Sequence, residues 1–257
     1  MKRFLSIYLL SMICSMCFTL RAQTSISGEV DASTINSGKY KLTGDVTIKK
    51  EIYASGELEI DLNGHVLERV KNGDTDVKRF LITLHDGAKV TIIDSNPSNS
   101  NKITTESGGA ITGGVMTGGK GDRGGAIYVS PNAKLYLNGG TIYKCIARRP
   151  SGDNHDPIHV YTDGGGGGVY LTRAGYFEMN GGAIIGCETS LKTIESVEGV
   201  NSSGEKYKYE TITGCGGAVF IFAGAKFVMN GGTIKNNHAG RGGGVYVHEP
   251  TNDANSD

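Results

Sequence analysis

Tryptophan is absent from this 257-residue sequence, proline occurs only five times, and the 26 basic and 26 acidic residues leave no net charge. Without a basic block, nothing in the sequence favours binding to nucleic acid. Glycine is abundant instead, at 40 residues. Because glycine destabilises a helix interior by about 1 kcal/mol relative to alanine, this composition argues against a helical bundle. The glycines do not recur at every third residue, which excludes a collagen triple helix.

The one long apolar run lies at the N-terminus, between residues 4 and 20. Lys2 and Arg3 precede this run and the small residue Ala22 follows it, which is the pattern of a secretory signal peptide. We therefore expect residues 1–22 to be removed, so that the mature protein is secreted, extracellular or at the outer cell surface. The alternative is an uncleaved membrane anchor, although the run is marginal for crossing about 30 Å of hydrocarbon.

An internal repeat organises the remaining sequence. Four glycine-led stretches resemble one another, namely GGAIYV from Gly124, GGGVYL from Gly166, GGAVFI from Gly216 and GGGVYV from Gly242. In the first three copies an Asn-Gly-Gly begins 14 residues after the first glycine, and the spacing to the next copy then varies. A constant half and a variable half predict a rigid scaffold that carries loops of different length. We expect inserted loops at residues 95–123, 148–163 and 189–213.

The constant half of each repeat consists of strands, because its apolar residues recur at every second position. Ile127 and Val129 should face inward on the first strand, Leu135 and Leu137 on the second, and Ile142 on the third. Three strands and three bends in each repeat predict an all-β protein, a parallel β-helix. In such a solenoid each coil buries its apolar residues only against its neighbours.

The spacing of the repeats sets the domain organisation. We expect about five coils, beginning near residues 40, 81, 124, 166 and 216, and the opening strand of a sixth. Residues 23–39 would form an N-terminal lead-in or cap, residues 40–247 the solenoid, and residues 248–257 a polar tail. Stacked about 4.8 Å apart, the coils would form a rod roughly 25 Å long.

The repeats resemble those of polymorphic outer-membrane proteins and related bacterial surface adhesins. The resemblance rests on GGAI or GGAV, a further strand, a bend and the pattern I-x-x-N-x-A, which residues 234–239 match as IKNNHA. Upstream, GKYKLTGDVTI, LEIDLNGHVL and KVTIIDS are similar to the opening coils of right-handed β-helix surface proteins from gut bacteria. Over residues 38–247 the resemblance implies a right-handed parallel β-helix at the cell surface. Cys145 and Cys187 stand where the pattern has asparagine.

This resemblance implies an adhesin-like or structural binding protein whose partners would be host matrix or glycans. We expect no catalysis and no cofactor. Ten outward strand positions supply a single carboxylate, Glu178, whereas polysaccharide hydrolases of this kind need a pair of acids. The alternative is a polysaccharide-binding or polysaccharide-cleaving β-helix protein, similar to the pectate lyases.

The first candidate for a ligand-binding surface is an aromatic column at the outward position of the first strands. The column consists of Tyr128, Tyr170, Phe220 and Tyr246. Its rings could stack against sugars or contact a protein. Alternatively, the rings pack only on one another along the strands. Both interpretations place them in one outward-facing row.

The second candidate is the set of inserted loops, which should leave the scaffold at one corner and cluster there. Loop A, residues 148–163, contains five Asp and His residues that could act as ligands, namely Asp153, His155, Asp156, His159 and Asp163. Such residues can hold a metal ion, but they also form turns, and without a fixed ligand spacing we predict no metal site. Loop B, residues 189–213, alternates around a turn and predicts a projecting hairpin.

Three cysteines lie beyond the signal peptide, Cys145, Cys187 and Cys215. The first two occupy equivalent repeat positions and should stack on adjacent coils. Three alternatives remain open: buried free thiols, a Cys187–Cys215 bond that clamps the neck of loop B, or a Cys145–Cys187 bond.

The alternation also predicts which of three phenylalanines are buried. Phe177 and Phe227 should share an interior column, whereas Phe220 should lie on the outer face. We therefore expect Phe227→Ala to be the more destabilising substitution, since large-to-small changes in a core cost the most.

Overall fold

A computed structural model of the chain describes residues 22–70, 72, 78–116, 124–147, 163–189, 195–200, 204, 206–211 and 213–248. The body of the expected signal peptide, loop A up to residue 162 and the polar tail from residue 249 lie outside these residues. Apart from a short 3-10 turn at Ala32–Thr34, the regular structure of the described chain is all strand. None of the described residues forms a helix that could cross a membrane.

Each coil contributes one strand to each of three parallel sheets, which run along the molecule. The strands of the first sheet are Ile52–Ala54, Ile82–Leu84, Ile127–Val129, Val169–Leu171, Val219–Ile221 and Val245–Val247. The strands of the second sheet are Glu57–Asp61, Lys89–Ile93, Lys134–Leu137, Tyr176–Met179 and Lys226–Met229. The strands of the third sheet are Val66–Arg69, Ala110–Thr112, Thr141–Tyr143, Ala183–Ile185 and Thr233–Lys235.

Equivalent repeat residues pair directly from coil to coil. In the first sheet, Ile127 pairs with Val169, Val169 with Val219, and Val219 with Val245, all in parallel register. This arrangement confirms the predicted parallel β-helix. The described residues form five complete coils, whose first strands begin at residues 52, 82, 127, 169 and 219, and the opening strand of a sixth at 245.

The N-terminal end differs from the expected coil that begins near residue 40. One long strand, Gly38–Ile48, pairs through its first residues with Glu57–Asp61 and through its last residues with Val66–Arg69. It therefore joins the second and third sheets without the bend that later coils have at this point. Gln23–Glu29 lies parallel on this strand, so the lead-in is itself a strand. The first complete coil begins at Ile52.

The structure also differs from the expected loop at residues 95–123. Ala110–Thr112 is the third-sheet strand of its coil, and Val115–Met116 pairs in parallel with Ile146–Ala147. Ile146–Ala147 pairs in turn with Glu188–Thr189, so each of these coils has a fourth short strand. One insertion, residues 95–107, leaves the scaffold between the second and third sheets, whereas residues 117–123 of the expected loop lie outside the described residues.

Hydrogen bonds fix this shorter insertion. The Asp94 carboxylate accepts one bond from the Gly64 N–H and one from the Gly109 N–H, each 2.7 Å long. Asn101 organises the loop itself, because its side chain accepts a bond from the Thr104 N–H at 2.8 Å and donates one to the Gly108 carbonyl at 2.6 Å. The insertion is therefore tied to two neighbouring coils.

The interior of the solenoid is apolar, and the inward positions are those that the alternation predicts. Ile127, Val129, Leu135, Leu137 and Ile142 are all buried. Their burial on stacked coils supplies the main stabilising free energy, at about 1.5–3 kcal/mol for each large apolar side chain.

Phe177 and Phe227 share a column, as predicted, but the expectation that both rings are buried is wrong for Phe227. Phe177 is fully buried and its ring stacks on that of Phe227 at 4.9 Å between centroids. Phe227, however, is only partly buried. Its coil is the last complete one, and Met229 on the same strand is 46% exposed, whereas Met179 one coil earlier is 0% exposed.

All three described cysteines are free, buried thiols. Cys145 and Cys187 lie in the main core on adjacent coils, as predicted, since Ile146 pairs with Glu188. The considered Cys187–Cys215 bond is not formed, because Cys215 belongs to a separate cluster outside the main core. Burial raises the pKa of the Cys215 thiol to about 11 and that of Cys187 well above its usual value, which favours the neutral thiols.

Candidate functional site

The predicted aromatic column is a continuous stack on the outer side of the first sheet. The centroids of Tyr128 and Tyr170 are 5.7 Å apart with nearly parallel rings, those of Tyr170 and Phe220 are 4.8 Å apart, and those of Phe220 and Tyr246 are 5.6 Å apart. The strand register explains this stack, because it places the four residues directly above one another. Each ring packs mainly on its neighbours along the ladder.

The expected exposure of this column is wrong at its centre. Tyr170 is 3% exposed and Phe220 is 0% exposed. With Cys215 they form a second packed cluster, which we call the outer cluster. Because their rings are covered, Tyr170 and Phe220 offer no free face to a ligand. Tyr128 and Tyr246, at the two sides of the cluster, are only partly buried, and their proposed role in binding stays a prediction.

Two short strands cover the outer cluster. Asp163–Gly165 and Thr213–Cys215 pair in parallel beside it. Gly165 lies so close that a Cβ atom there would be 2.8 Å from the Phe220 ring. A side chain at this position would therefore collide with the cluster, which explains the glycine.

These covering strands are the ends of loops A and B. Asp163 is the last residue of loop A and Thr213 is the last residue of loop B. The pairing of the two strands therefore holds the C-terminal bases of both loops side by side. Their N-terminal bases also pair, through Ile146–Ala147 and Glu188–Thr189. The expected clustering of these two loops is confirmed at their bases. The candidate residues Asp153, His155, Asp156 and His159 lie outside the described residues.

Loop B contains the predicted hairpin. Glu195–Val200 pairs in antiparallel register with Lys206–Thr211. The following coil has a short connection at the same place, because His238 pairs with Glu188 and Arg241 with Cys215. The scaffold thus bridges this corner with two residues when no loop is inserted.

The insertion at residues 95–107 reaches a different part of the molecule. Its Glu106 carboxylate lies 2.8 Å from the ammonium group of Lys235, which belongs to the last complete coil. The insertion therefore extends along the third sheet instead of joining loops A and B. The expectation that all three loops leave at one corner is therefore wrong for residues 95–107, and residues 117–123 of the same expected loop lie outside the described residues.

A polar surface, which includes the predicted outward position Glu178, covers the outer side of the second sheet. Its side chains come from four consecutive coils, and we call it the lysine–tyrosine face. It consists of Lys89, Lys134, Tyr136, Tyr176, Glu178 and Lys226. The sheet register places these residues in two adjacent columns, and the side chains are exposed or partly exposed.

Short contacts organise the centre of this face. The Tyr176 hydroxyl donates a hydrogen bond of 2.5 Å to the Glu178 carboxylate, which lowers the pKa of Glu178 and raises that of Tyr176 to about 12. The rings of Tyr136 and Tyr176 are 6.0 Å apart and tilted by 54°. The ammonium groups of Lys89 and Lys226 lie over these rings, each 5.9 Å from a centroid.

An asparagine ladder borders the face at the bend of the coils. The Asn180 side-chain NH2 group donates a hydrogen bond of 3.0 Å to the side-chain oxygen of Asn138. The Asn230 side-chain NH2 group likewise donates one of 2.8 Å to the side-chain oxygen of Asn180. Asn230 also donates to the Glu178 carboxylate at 3.3 Å. The ladder arises from the asparagines that begin the Asn-Gly-Gly repeats. Their fixed spacing was the signal from which this ladder could have been predicted.

The observed strands and their register define a parallel β-helix protein. Comparison with models of protein families, with curated proteins and with solved structures finds no significant match. In the part of the chain that the structure describes, no three His, Cys, Asp or Glu side chains lie close enough together to hold a metal ion.

Proposed function

We propose that the chain is a secreted or surface-exposed, adhesin-like binding protein that presents loops A and B as one recognition surface. The observation that carries this proposal is the pairing of both loop bases over the outer cluster. Long loops add little to the free energy cost of loop closure, about 0.6 kcal/mol for each doubling in length. Such loops are the usual place for recognition when a rigid scaffold holds their ends.

The outer cluster gives this arrangement its rigidity. Tyr170 and Phe220 are buried against the strands that end the two loops, and Cys215 comes from one of those strands. Burying aromatic rings in this way stabilises the attached strands, because each ring removes a large apolar area from water. The aromatic column thus supports the proposed recognition surface from below. Host matrix proteins and glycans are the partners to test.

Removing both loops should abolish adhesion and leave the solenoid folded. Deleting residues 148–163 and 190–213 gives both coils the connection that His238–Arg241 provides in the next coil, so the strand register is kept. We expect beads coated with the intact chain to adhere to at least one of collagen, fibronectin, laminin and mucin. Beads coated with the doubly deleted chain should adhere no more than uncoated beads.

A second variant replaces the interior of both loops, residues 148–162 and 190–212, with glycine–serine segments of equal length. This variant keeps the loop length and the covering strands but removes the side chains of the loops. The proposal requires that it too loses adhesion while its circular dichroism remains that of a β protein. If either variant adheres as strongly as the intact chain, loops A and B are not the recognition surface.

A further inference from the structure

The lysine–tyrosine face carries a charge pattern that the proposed loop surface does not explain. In one column, Lys89 pairs with Lys134, Lys134 with Tyr176, and Tyr176 with Lys226. Like charges placed directly opposite each other on neighbouring strands are unfavourable. Lys89 is partly compensated by Glu57 at 3.6 Å. A bound polyanion would relieve the repulsion along the column.

The one carboxylate at the centre of this face is already engaged. Glu178 accepts a hydrogen bond from the Tyr176 hydroxyl and another from the Asn230 amide. Its negative charge is therefore partly satisfied by protein donors. The three lysines extend from coils on both sides of Tyr176, and together they outnumber the two carboxylates beside them, Glu57 and Glu178.

We propose that the lysine–tyrosine face binds a linear glycan with an acidic group on its successive sugars, lying along the solenoid axis. Coils repeat about every 4.8 Å, which is close to the length of one sugar residue. Lys89 and Lys134 on adjacent coils can therefore meet the acidic groups of adjacent sugars, and Lys226, two coils beyond Lys134, can meet a third. Tyrosine rings offer apolar faces to the C–H groups of sugars. The amides of Asn138, Asn180 and Asn230 lie beside the column that contains Tyr136 and Glu178, and they can bond to hydroxyl groups.

A glycan fits this face better than a nucleic acid does. Single-stranded nucleic acids are held by aromatic side chains on which successive bases stack. Here the rings of Tyr136 and Tyr176 are tilted by 54° to each other. Two rings at this angle do not extend one continuous stack of parallel bases, whereas each ring can contact a separate sugar.

The test measures binding of the intact chain to alginate, which has one carboxylate per sugar, to dextran sulfate and to neutral dextran at low salt. We expect saturable binding to alginate or dextran sulfate, and the two polymers show which acidic group is preferred. Replacing both Lys134 and Lys226 by alanine should weaken that binding roughly tenfold. Added salt should weaken it as well, because the contacts are exposed.

The matched control, Lys50→Ala with Lys102→Ala, removes two exposed lysines away from this face and should change the affinity less than twofold, roughly. The chain without loops A and B should bind the polymer as the intact chain does, which separates this inference from the proposed function. The inference is overturned if neutral dextran binds equally well, if neither acidic polymer binds, or if the Lys134 and Lys226 variant binds normally. Tighter binding to oligo-dT than to either glycan would assign the face to nucleic acid instead.

Discussion

Replacing Phe220 by alanine should lower the free energy of unfolding by about 3–5 kcal/mol, the cost of removing a fully packed aromatic ring. Phe220 is 0% exposed and stacks between Tyr170 and Tyr246. The loss should exceed that of Phe227→Ala, because Phe227 is partly buried and stacks on Phe177 in the last complete coil. This order is the reverse of the one that the sequence predicts.

Urea unfolding of the two variants, followed by circular dichroism, measures the difference. The two substitutions are directly comparable, because each replaces a phenylalanine by alanine and the two residues lie on consecutive strands of one coil. Equal losses, or a larger loss for Phe227→Ala, would mean that the strands Asp163–Gly165 and Thr213–Cys215 do not cover the outer cluster in solution. The proposed support for loops A and B would then be lost as well.

The second large effect is expected at the glycine pairs that begin each repeat. A Cβ atom on Gly167 would lie 2.5 Å from the carbonyl oxygen of Gly217 and 2.6 Å from the backbone of Glu188. Because all these neighbours are backbone atoms of packed coils, they cannot move apart without disturbing the register. Gly167→Ala should therefore destabilise the protein by about 3 kcal/mol or more, at the upper end of the effects of overpacking.

Gly244→Ala is the matched control for this substitution. A Cβ atom on Gly244 would meet only Ile234, at an ordinary contact distance of 3.5 Å. Alanine already occupies the equivalent position at Ala126 and Ala218. We expect a change of no more than about 0.5 kcal/mol in the urea unfolding free energy. If both glycine variants lose the same stability, close approach of the coils does not explain the glycine pairs.

The sequence predicted the solenoid well because each coil repeats one local pattern. The alternation in Ile127–Val129 and Lys134–Leu137 identified strands and their inward faces, and the same spacing recurred in later copies. The hairpin in loop B was also predictable, since its two halves alternate around a turn. These features depend on local periodicity, which a sequence shows directly.

Features that depend on contacts between distant segments were missed. The strand Asp163–Gly165 has no alternating apolar side chains, so no local pattern predicts that it covers Phe220. The third-sheet strand at Ala110 was hidden because residues 95–107 separate it from the strand before it. Tyr176 was overlooked as a surface residue because its equivalents, Lys89, Lys134 and Lys226, are not aromatic.

We expect this solenoid to bind its partner without cleaving it. The most direct test incubates the intact chain with a panel of matrix proteins and acidic and neutral polysaccharides, measuring both retention of the chain and the length of each polymer. We predict retention on at least one member of the panel and recovery of every polysaccharide at its original length. Shortened chains with new reducing or unsaturated ends would contradict this prediction and identify the protein as a polysaccharide-cleaving enzyme.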